Sequence, residues 1–159
     1  MRKSWKLPAS ALDEMAVRAA ADYPEETCGL LFDTDEALEV VAMENVQNRL
    51  HQKDPQHHRR DATRAFQFDA MALERVLRQR EESGAPLVGI YHSHPDHDAY
   101  FSAKDREDAA PAGWGPIYPE AVHLVFAVKE GTTREVKGFA WSAAQEDFVE
   151  IEIVREDAD

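Results

Sequence analysis

The chain has 159 residues, of which 18 are Lys or Arg and 31 are Asp or Glu, so its formal net charge is −13. This acidity argues against nucleic acid as a partner, because a strongly negative chain repels phosphates. The 43% of hydrophobic residues argues against intrinsic disorder, and the length is that of one domain with a single core.

No apolar run approaches the roughly 20 residues that span a bilayer. The N-terminus lacks the apolar core of a secretory signal, and a single cysteine excludes an internal disulfide. We therefore expect a cytoplasmic protein with no membrane partner, and the sequence leaves its oligomeric state open.

The first half of the chain predicts helices and strands separated by one polar insertion. Apolar residues recur at helical spacing from Leu12 to Ala20, which predicts a helix with Ser10 as its N-cap and an end at Pro24. Apolar runs at 28–32 and 38–44 predict two strands. The polar stretch 46–66 predicts an insertion loop, and a second helix is expected over 69–83, ending at Gly84.

The second half predicts a central strand followed by a short helix and three more strands. The run 86–92 is apolar without alternation, as in a strand covered on both faces. A short helix is expected between Ser102 and Pro111, followed by a Gly/Pro loop at 111–121. Strands are predicted at 122–128, 136–142 and 148–154. The fold class is therefore α+β, a single domain over residues 1–159 with a mixed, curved β-sheet flanked by helices.

The chemistry of the sequence centres on His92-Ser93-His94-Pro95, at the end of the central strand. Side chains two residues apart in a strand project to the same side, so both imidazoles can face one ion. A catalytic Zn²⁺ takes three protein ligands and one open position. The nearby residues that offer a third ligand are Asp96, His97, Asp98, Asp105 and Asp108.

Two families share parts of this pattern. The string from His92 to His97 matches the H-x-H-x-D-H motif of the metallo-β-lactamase superfamily. The longer pattern resembles the JAMM (MPN+) zinc metallopeptidases, which have an upstream glutamate, the string H-[ST]-H-P, and then a serine and an aspartate. Glu26, Ser102 and Asp105 occupy those positions, with Ser102 eight positions after His94. The β-lactamase fold needs a longer chain with its motif near the start, so we identify the chain as a short, stand-alone JAMM domain of prokaryotic type.

The resemblance implies a role for each motif residue. His92, His94 and Asp105 are the expected ligands of one Zn²⁺, Glu26 is the expected general base for a zinc-activated water, and Ser102 is the expected donor to the oxyanion. Ser102-Ala-Lys-Asp105 also has the pattern of a helix capping box, which is compatible with both roles. Cys28 lies in an apolar run without catalytic partners, so we interpret it as a buried structural thiol.

The resemblance also implies the substrate. Members of this family hydrolyse the peptide or isopeptide bond after the C-terminal Gly-Gly of ubiquitin-like or sulfur-carrier β-grasp proteins. The sequence leaves open whether the scissile bond is a linear or an isopeptide bond. Two other functions remain open: a metal-free MPN scaffold domain, and a zinc amidohydrolase that acts on small molecules. Bound zinc would distinguish the enzyme from the scaffold.

Charge and aromatic residues suggest where a substrate binds. Residues 49–80 carry eight basic and four acidic side chains in an otherwise acidic chain, so we expect Arg59 and Arg60 to dock an acidic face of the carrier. Trp114 and Tyr118, in the 111–121 loop, are expected either to grip the substrate tail or to form a small cluster under the loop. The abundance of Asp and Glu with only six Lys also suggests adaptation to high salt.

Overall fold

The structure is a computed structural model, and it describes residues 2–157. These residues form a seven-stranded sheet with four helices. The strands are β1 (Ser4–Pro8), β2 (Cys28–Asp33), β3 (Leu38–Met43), β4 (Leu87–Pro95), β5 (Val122–Lys129), β6 (Thr132–Ser142) and β7 (Asp147–Glu156). The helices are α1 (Ala9–Asp22), α2 (Gln47–Lys53), α3 (Ala70–Glu82) and α4 (Ala103–Ala109).

The sheet is mixed, in the order β1-β7-β6-β5-β4-β2-β3. Strands β1 and β7 pair in parallel, as do β4 and β5, and the other neighbours are antiparallel. The predicted α+β domain is confirmed. None of the helices in residues 2–157 is long and apolar enough to cross a membrane.

The centre of the sheet is covered on both faces, which places the candidate site on one of them. Along β5, Leu124 and Phe126 pack with α1 in the largest apolar cluster, whereas Val125 and Ala127 pack on the opposite face. His92 pairs in register with Val125, and His94 pairs with Ala127. Because side chains alternate along a strand, the two histidines lie on the face opposite α1.

Three elements differ from the sequence prediction. Strand β1 was not predicted, because five residues with a terminal proline form a strand only through their pairing with β7. The helix α1 begins at Ala9 directly after β1 and has no side-chain cap, so the prediction of Ser10 as N-cap is wrong. The predicted loop 46–66 begins with a helix, α2. Its first residue, Gln47, is buried and donates a 2.8 Å hydrogen bond to the carbonyl of Arg60.

The Gly/Pro loop at 111–121 contains no helix or strand, as predicted. The helix predicted over 69–83 is also present, and Asp69 caps it by accepting a 3.0 Å hydrogen bond from Ala72 N. Both predictions rest on local signals, a Pro/Gly cluster for the loop and apolar residues at helical spacing for the helix, that need no distant contact.

Candidate active site

Three ligand-type atoms converge where β4 meets the start of α4. His92 Nε2 and His94 Nε2 lie 3.2 Å apart, and Asp105 Oδ2 lies 3.2 Å from each of them. The triangle is shielded from water, because the exposed fractions of the three side chains are 1%, 7% and 10%. Of the candidate third ligands in the sequence, Asp105 is the one that joins the two histidines.

The surroundings orient these atoms. His94 Nδ1 lies 3.0 Å from the carbonyl oxygen of Asp98, and a carbonyl only accepts, so Nδ1 carries the proton and the lone pair of Nε2 faces the triangle. Asp105 Oδ2 accepts a 3.0 Å hydrogen bond from Ser102 N, and Ser102 Oγ accepts one of 3.1 Å from Asp105 N. The predicted capping box is therefore formed, and it fixes the carboxylate of Asp105 towards the histidines.

The donor set fits a tetrahedral metal ion. Zinc bonds to nitrogen and oxygen of about 2.0–2.1 Å in a tetrahedron separate neighbouring ligand atoms by about 3.3 Å, close to the 3.2 Å between each pair here. Two imidazole lone pairs that face each other repel unless a cation or a proton lies between them. When protons rather than an ion occupy the triangle, burial opposes ionisation of Asp105, but the charges and hydrogen bonds of the protonated His92 and His94 outweigh it and hold its pKa well below the ordinary value.

Away from the triangle, the His92 ring is held by packing rather than by a hydrogen bond. Its ring stacks on Phe66 with a centroid separation of 4.6 Å. Within residues 2–157, its buried Nδ1 has no hydrogen-bond partner. Phe66 precedes α3 and was not predicted to reach the site, because its apolar character alone gives no sign of a contact across more than twenty residues of sequence.

Glu26 lies beside this centre, two residues before β2 begins at Cys28. The residue is buried, at 6% exposure. Burial first, and then the negative charge of Asp105, raise the pKa of the Glu26 carboxyl well above its ordinary value, while Lys104 and Arg60 act in the opposite direction. A carboxyl with a raised pKa exchanges protons closer to neutral pH, as a general base requires.

The backbone around Glu26 is fixed by hydrogen bonds that the sequence did not reveal. Glu26 N donates to the carbonyl of Ala62 at 2.7 Å, and the Glu26 carbonyl accepts from Asn45 Nδ2 at 3.0 Å. The next backbone amide, Thr27 N, donates to Ser93 Oγ at 2.8 Å. The contacts of Asn45 and Ser93 with this backbone were not predicted; the only signal for Ser93 was its place between the two histidines.

Two concavities meet at the triad. The first, which we call the polar cavity, has a volume of about 150 Å³ and contains both Glu26 and Ser102 in its wall. Its other lining residues are Arg60, Thr63, Arg64, His94, His97, Tyr100 and Asp105. The second, which we call the apolar groove, has a volume of about 410 Å³ and is lined by His92 and Asp105 together with apolar residues that include Phe66, Phe68, Ile117 and Tyr118.

The structure separates the predicted substrate-binding residues. Arg60 lines the polar cavity, whereas Arg59 is exposed and lines neither concavity. Tyr118 lines the apolar groove and packs against a core cluster. Trp114 is 87% exposed, so the alternative that it packs in a cluster under the loop is wrong. Cys28 is buried, and burial raises the pKa of its thiol, which agrees with a structural role.

The fold and the triad define a single α+β domain with a candidate metal centre. Within that class, residues 8–143 match the family model described as prokaryotic homologs of the JAB domain, and the chain belongs to this family. The resemblance inferred from the motif is thereby confirmed.

Two curated proteins are similar to this chain in sequence, and a solved structure shares its fold. A desampylase from Haloferax volcanii is 34% identical over 105 residues, which cover 66% of this chain and 69% of the relative. A probable TtuB-protein conjugate cleaving protease from Thermus thermophilus is 30% identical over 103 residues, which cover 65% of this chain and 62% of that relative. The solution structure of a protein from Desulfitobacterium hafniense superposes with a TM-score of 0.68 at 20% identity, covering 96% of this chain and 93% of the other, and shows the same fold.

Proposed function

We propose that this chain is a zinc-dependent peptidase or isopeptidase that hydrolyses the bond after the C-terminal Gly-Gly of a ubiquitin-like or sulfur-carrier β-grasp protein. The observation that carries the proposal is the convergence of three ligand atoms at 3.2 Å from one another beside a buried glutamate. The names of two relatives, a desampylase and a protease of TtuB-protein conjugates, support a protein conjugate as substrate.

His92, His94 and Asp105 would hold the ion, because their three atoms supply the nitrogen and oxygen ligands of a catalytic zinc site and leave one position open. When bound, Zn²⁺ supplies Lewis acidity, which polarises a carbonyl and lowers the pKa of a water to about 7. The capping box at the start of α4 holds the Asp105 carboxylate in place for this role.

Glu26 acts as general base and then as general acid. Its carboxylate takes a proton from the attacking water and returns it to the departing nitrogen, so no covalent enzyme intermediate is needed. The raised pKa of this carboxyl suits both steps, since a group that titrates nearer neutral pH accepts and releases a proton with less loss of driving force.

Ser102 donates to the oxygen that gains negative charge when water adds to the carbonyl. Its Oγ already accepts a hydrogen bond from Asp105 N, so the hydroxyl proton remains available for the polar cavity that Ser102 lines. Removing one such donor costs on the order of 10²–10³ in kcat at well-studied sites.

The apolar groove takes the tail of the carrier. Its walls include Phe66 and Tyr118, and it reaches the triad through His92 and Asp105. An extended Gly-Gly segment is narrow enough to approach the triad, while bulkier residues before it would pack on the aromatic walls. Trp114 stands exposed on the loop that carries Tyr118, where it can contact the body of the carrier.

The exposed Arg59 remains our proposed docking point for an acidic face of the carrier, whereas Arg60 lines the polar cavity. Reversing the charge of Arg59 should lower kcat/KM and flatten its dependence on salt, because electrostatic attraction mainly speeds encounter. Unchanged values for both quantities would contradict this part of the proposal.

The function is tested with a β-grasp carrier that bears extra residues after its Gly-Gly. Zinc-loaded wild-type protein should release the extension at the Gly-Gly boundary, as read by mass spectrometry of both products. Glu26→Gln should bind zinc but cleave at least 10²-fold more slowly, and chelation should abolish cleavage, with recovery when Zn²⁺ is restored.

The same preparation separates the two alternatives. One zinc per chain with cleavage of the carrier supports the peptidase, and a purified chain that binds no zinc and cleaves nothing identifies a metal-free scaffold. Hydrolysis of small amides without any cleavage of carriers would instead indicate an amidohydrolase. His92→Ala, which removes one ligand, should lose both zinc and activity, and a variant that kept both would contradict the assigned site.

A further inference from the structure

We infer that Arg60 and Arg64 form a subsite for a carboxylate carried by the leaving group. This inference rests on the proposed function and adds the chemistry of the segment beyond the scissile bond. Both arginines line the polar cavity, together with Glu26 and Ser102.

The position of Glu26 identifies the polar cavity as the leaving-group side. The departing nitrogen must reach the group that protonates it, and Glu26 lines the polar cavity but not the apolar groove. The two concavities meet at the triad, where both include Asp105. A substrate that spans them therefore has its carrier tail in the groove and its departing segment beside the arginines.

Both arginines have free donors. Within residues 2–157, neither forms an ion pair, in contrast to Arg80, which contacts the Glu39 carboxylate at 2.9 Å and 3.0 Å. The one hydrogen bond of the Arg60 guanidinium in the described residues is a 3.4 Å contact from Nη1 to the Arg64 carbonyl. A guanidinium has five donor hydrogens in a planar fork that matches a carboxylate, so most of this capacity is unused.

The backbone that carries the arginines is fixed relative to Glu26. The Arg60 carbonyl accepts a 2.8 Å hydrogen bond from the buried Gln47 side chain. Two residues later, Ala62 N donates to Asn48 Oδ1 at 2.7 Å, and the Ala62 carbonyl accepts from Glu26 N at 2.7 Å. The segment that carries the arginines is therefore hydrogen-bonded directly to the segment that carries Glu26. This bond keeps the Arg60 backbone in a fixed position relative to the proposed proton donor.

The bound carboxylate has two sources, an acidic side chain at the first position after the scissile bond, or the terminal carboxylate of a one-residue extension. Each is tested against its uncharged isostere. The first pair of substrates is a carrier with a long extension that begins with Asp or with Asn. The second pair is a carrier extended by a single Ala, as the free acid or as the amide.

For wild-type protein, at least one of the two pairs should show kcat/KM about tenfold higher for the carboxylate, the low end for a charge-assisted hydrogen bond. This preference should fall to near unity in Arg60→Gln/Arg64→Gln and persist in Arg134→Gln, which removes an exposed arginine that lines neither concavity. The quantity to compare is the ratio of the two kcat/KM values within a pair of substrates. Arg60 also influences the pKa of Glu26, but a change in that pKa alters the rates for both members of a pair equally and leaves their ratio unchanged.

Equal kcat/KM values within both pairs, or a preference that survives in the double variant, would overturn the subsite. Failure of the proposed function looks different, since then none of the four substrates is cleaved. Cleavage of all four at matched rates leaves the peptidase intact and removes only the carboxylate subsite.

Discussion

Ser93 and Thr27 exchange two hydrogen bonds across the sheet. Thr27 N donates to Ser93 Oγ at 2.8 Å, and Ser93 N donates to the Thr27 carbonyl at 3.2 Å. Ser93 lies between the two histidines of the triad, and Thr27 follows the proposed general base. The pair therefore links the strand that carries the ligands to the segment that carries Glu26, and both residues are buried.

Replacing Ser93 with alanine tests this link. The change leaves the buried Thr27 amide without a partner, which should lower the free energy of unfolding by about 1–3 kcal/mol. A small displacement of Glu26 should lower kcat by roughly tenfold or more, while zinc content stays at one per chain. Urea unfolding and single-turnover cleavage measure the two effects. Ser93→Thr keeps the hydroxyl and should retain most of the stability and most of kcat. A Ser93→Ala variant with wild-type kcat would show that the link does not position Glu26.

Asn45 also contacts the backbone of Glu26, and its side chain makes four hydrogen bonds. Its Nδ2 donates to the carbonyls of Glu26 at 3.0 Å and Ala65 at 3.1 Å. Its Oδ1 accepts from Gln47 N at 3.0 Å and Gln67 N at 3.1 Å. Asn45 thus ties Glu26, the proposed general base, to the start of α2 and to the segment that leads into the apolar groove.

We predict that Asn45→Ala lowers stability by about 2–4 kcal/mol, since several buried backbone groups lose their partners together. The matched variant is Asn45→Asp, which keeps the two accepting bonds and loses the two donated ones. Its second carboxylate oxygen then faces two carbonyl oxygens that only accept, so its stability should fall at least as far as that of Asn45→Ala. Its kcat should fall because the bond to the Glu26 carbonyl is lost. If Asn45→Asp had the same kcat as wild type, the donated bond would have no part in positioning the base.

Only part of the triad could be predicted from local signals. His92 and His94 share a strand face by the period of two. Asp105 was one of five candidate third ligands, and the resemblance to the JAMM motif selected it; its capping-box pattern is visible in the chain but does not point to the histidines. Strands β2 to β7 and the helix α3 were predictable from apolar residues and their spacing.

The residues that the sequence did not reveal depend on distant partners. In the sequence Asn45 is one polar residue among many. Its side chain is fully hydrogen-bonded only because the fold brings four backbone groups to it. Strand β1 exists through its pairing with β7 at the other end of the chain. The helix α2 lies in a segment of polar composition, and its buried Gln47 has a partner only in the folded chain. Patterns of apolar residues carry no information about such contacts.

The acid limb of the pH–rate profile should report the titration of Glu26. Burial and then Asp105 raise the pKa of this carboxyl above its ordinary value of 4.5 in the protein without metal, and a bound Zn²⁺ acts in the opposite direction. In the proposed mechanism the carboxylate is the base, so kcat/KM should fall as the pH is lowered through the pKa of Glu26. Arg60 lowers the pKa of Glu26, and Arg60→Gln should therefore shift the acid limb to higher pH.

The pH profile needs zinc content measured at every point, because protonation of the ligands also lowers activity at acid pH. A limb that shifts in Arg60→Gln at constant zinc content supports Glu26 as the titrating group. The same limb in both proteins would indicate that another group controls it. Arg134→Gln provides the control for a simple change of net charge.

Salt should stabilise the fold. The chain carries a net charge of −13, and salt screens the repulsion among exposed carboxylates. We expect the free energy of unfolding, measured by urea titration at neutral pH, to rise as KCl is increased from 0.1 M to about 2 M. Choline chloride at matched ionic strength serves as the control for an effect specific to potassium. A free energy that stays flat or falls with KCl would contradict adaptation of this acidic surface to high salt.

His123 should make the fold sensitive to acid. It is 6% exposed and packs between Phe101 and Phe148, with ring centroids 5.2 Å away in each case. Burial lowers its pKa from 6.5 to about 3. Between these values the unfolded chain binds a proton that the folded chain does not, so the contribution of His123 to stability is complete above pH 6.5 and is lost as the pH falls towards 3. The free energy of unfolding should therefore change by about 1.4 kcal/mol per pH unit in this range.

His123→Phe keeps an aromatic ring between the two phenylalanines. It should remove this part of the pH dependence and have the same free energy of unfolding as wild type above pH 7. Unfolding is measured in chelator, so that both proteins are compared without metal; identical slopes below pH 6.5 would show that His123 is not the group responsible.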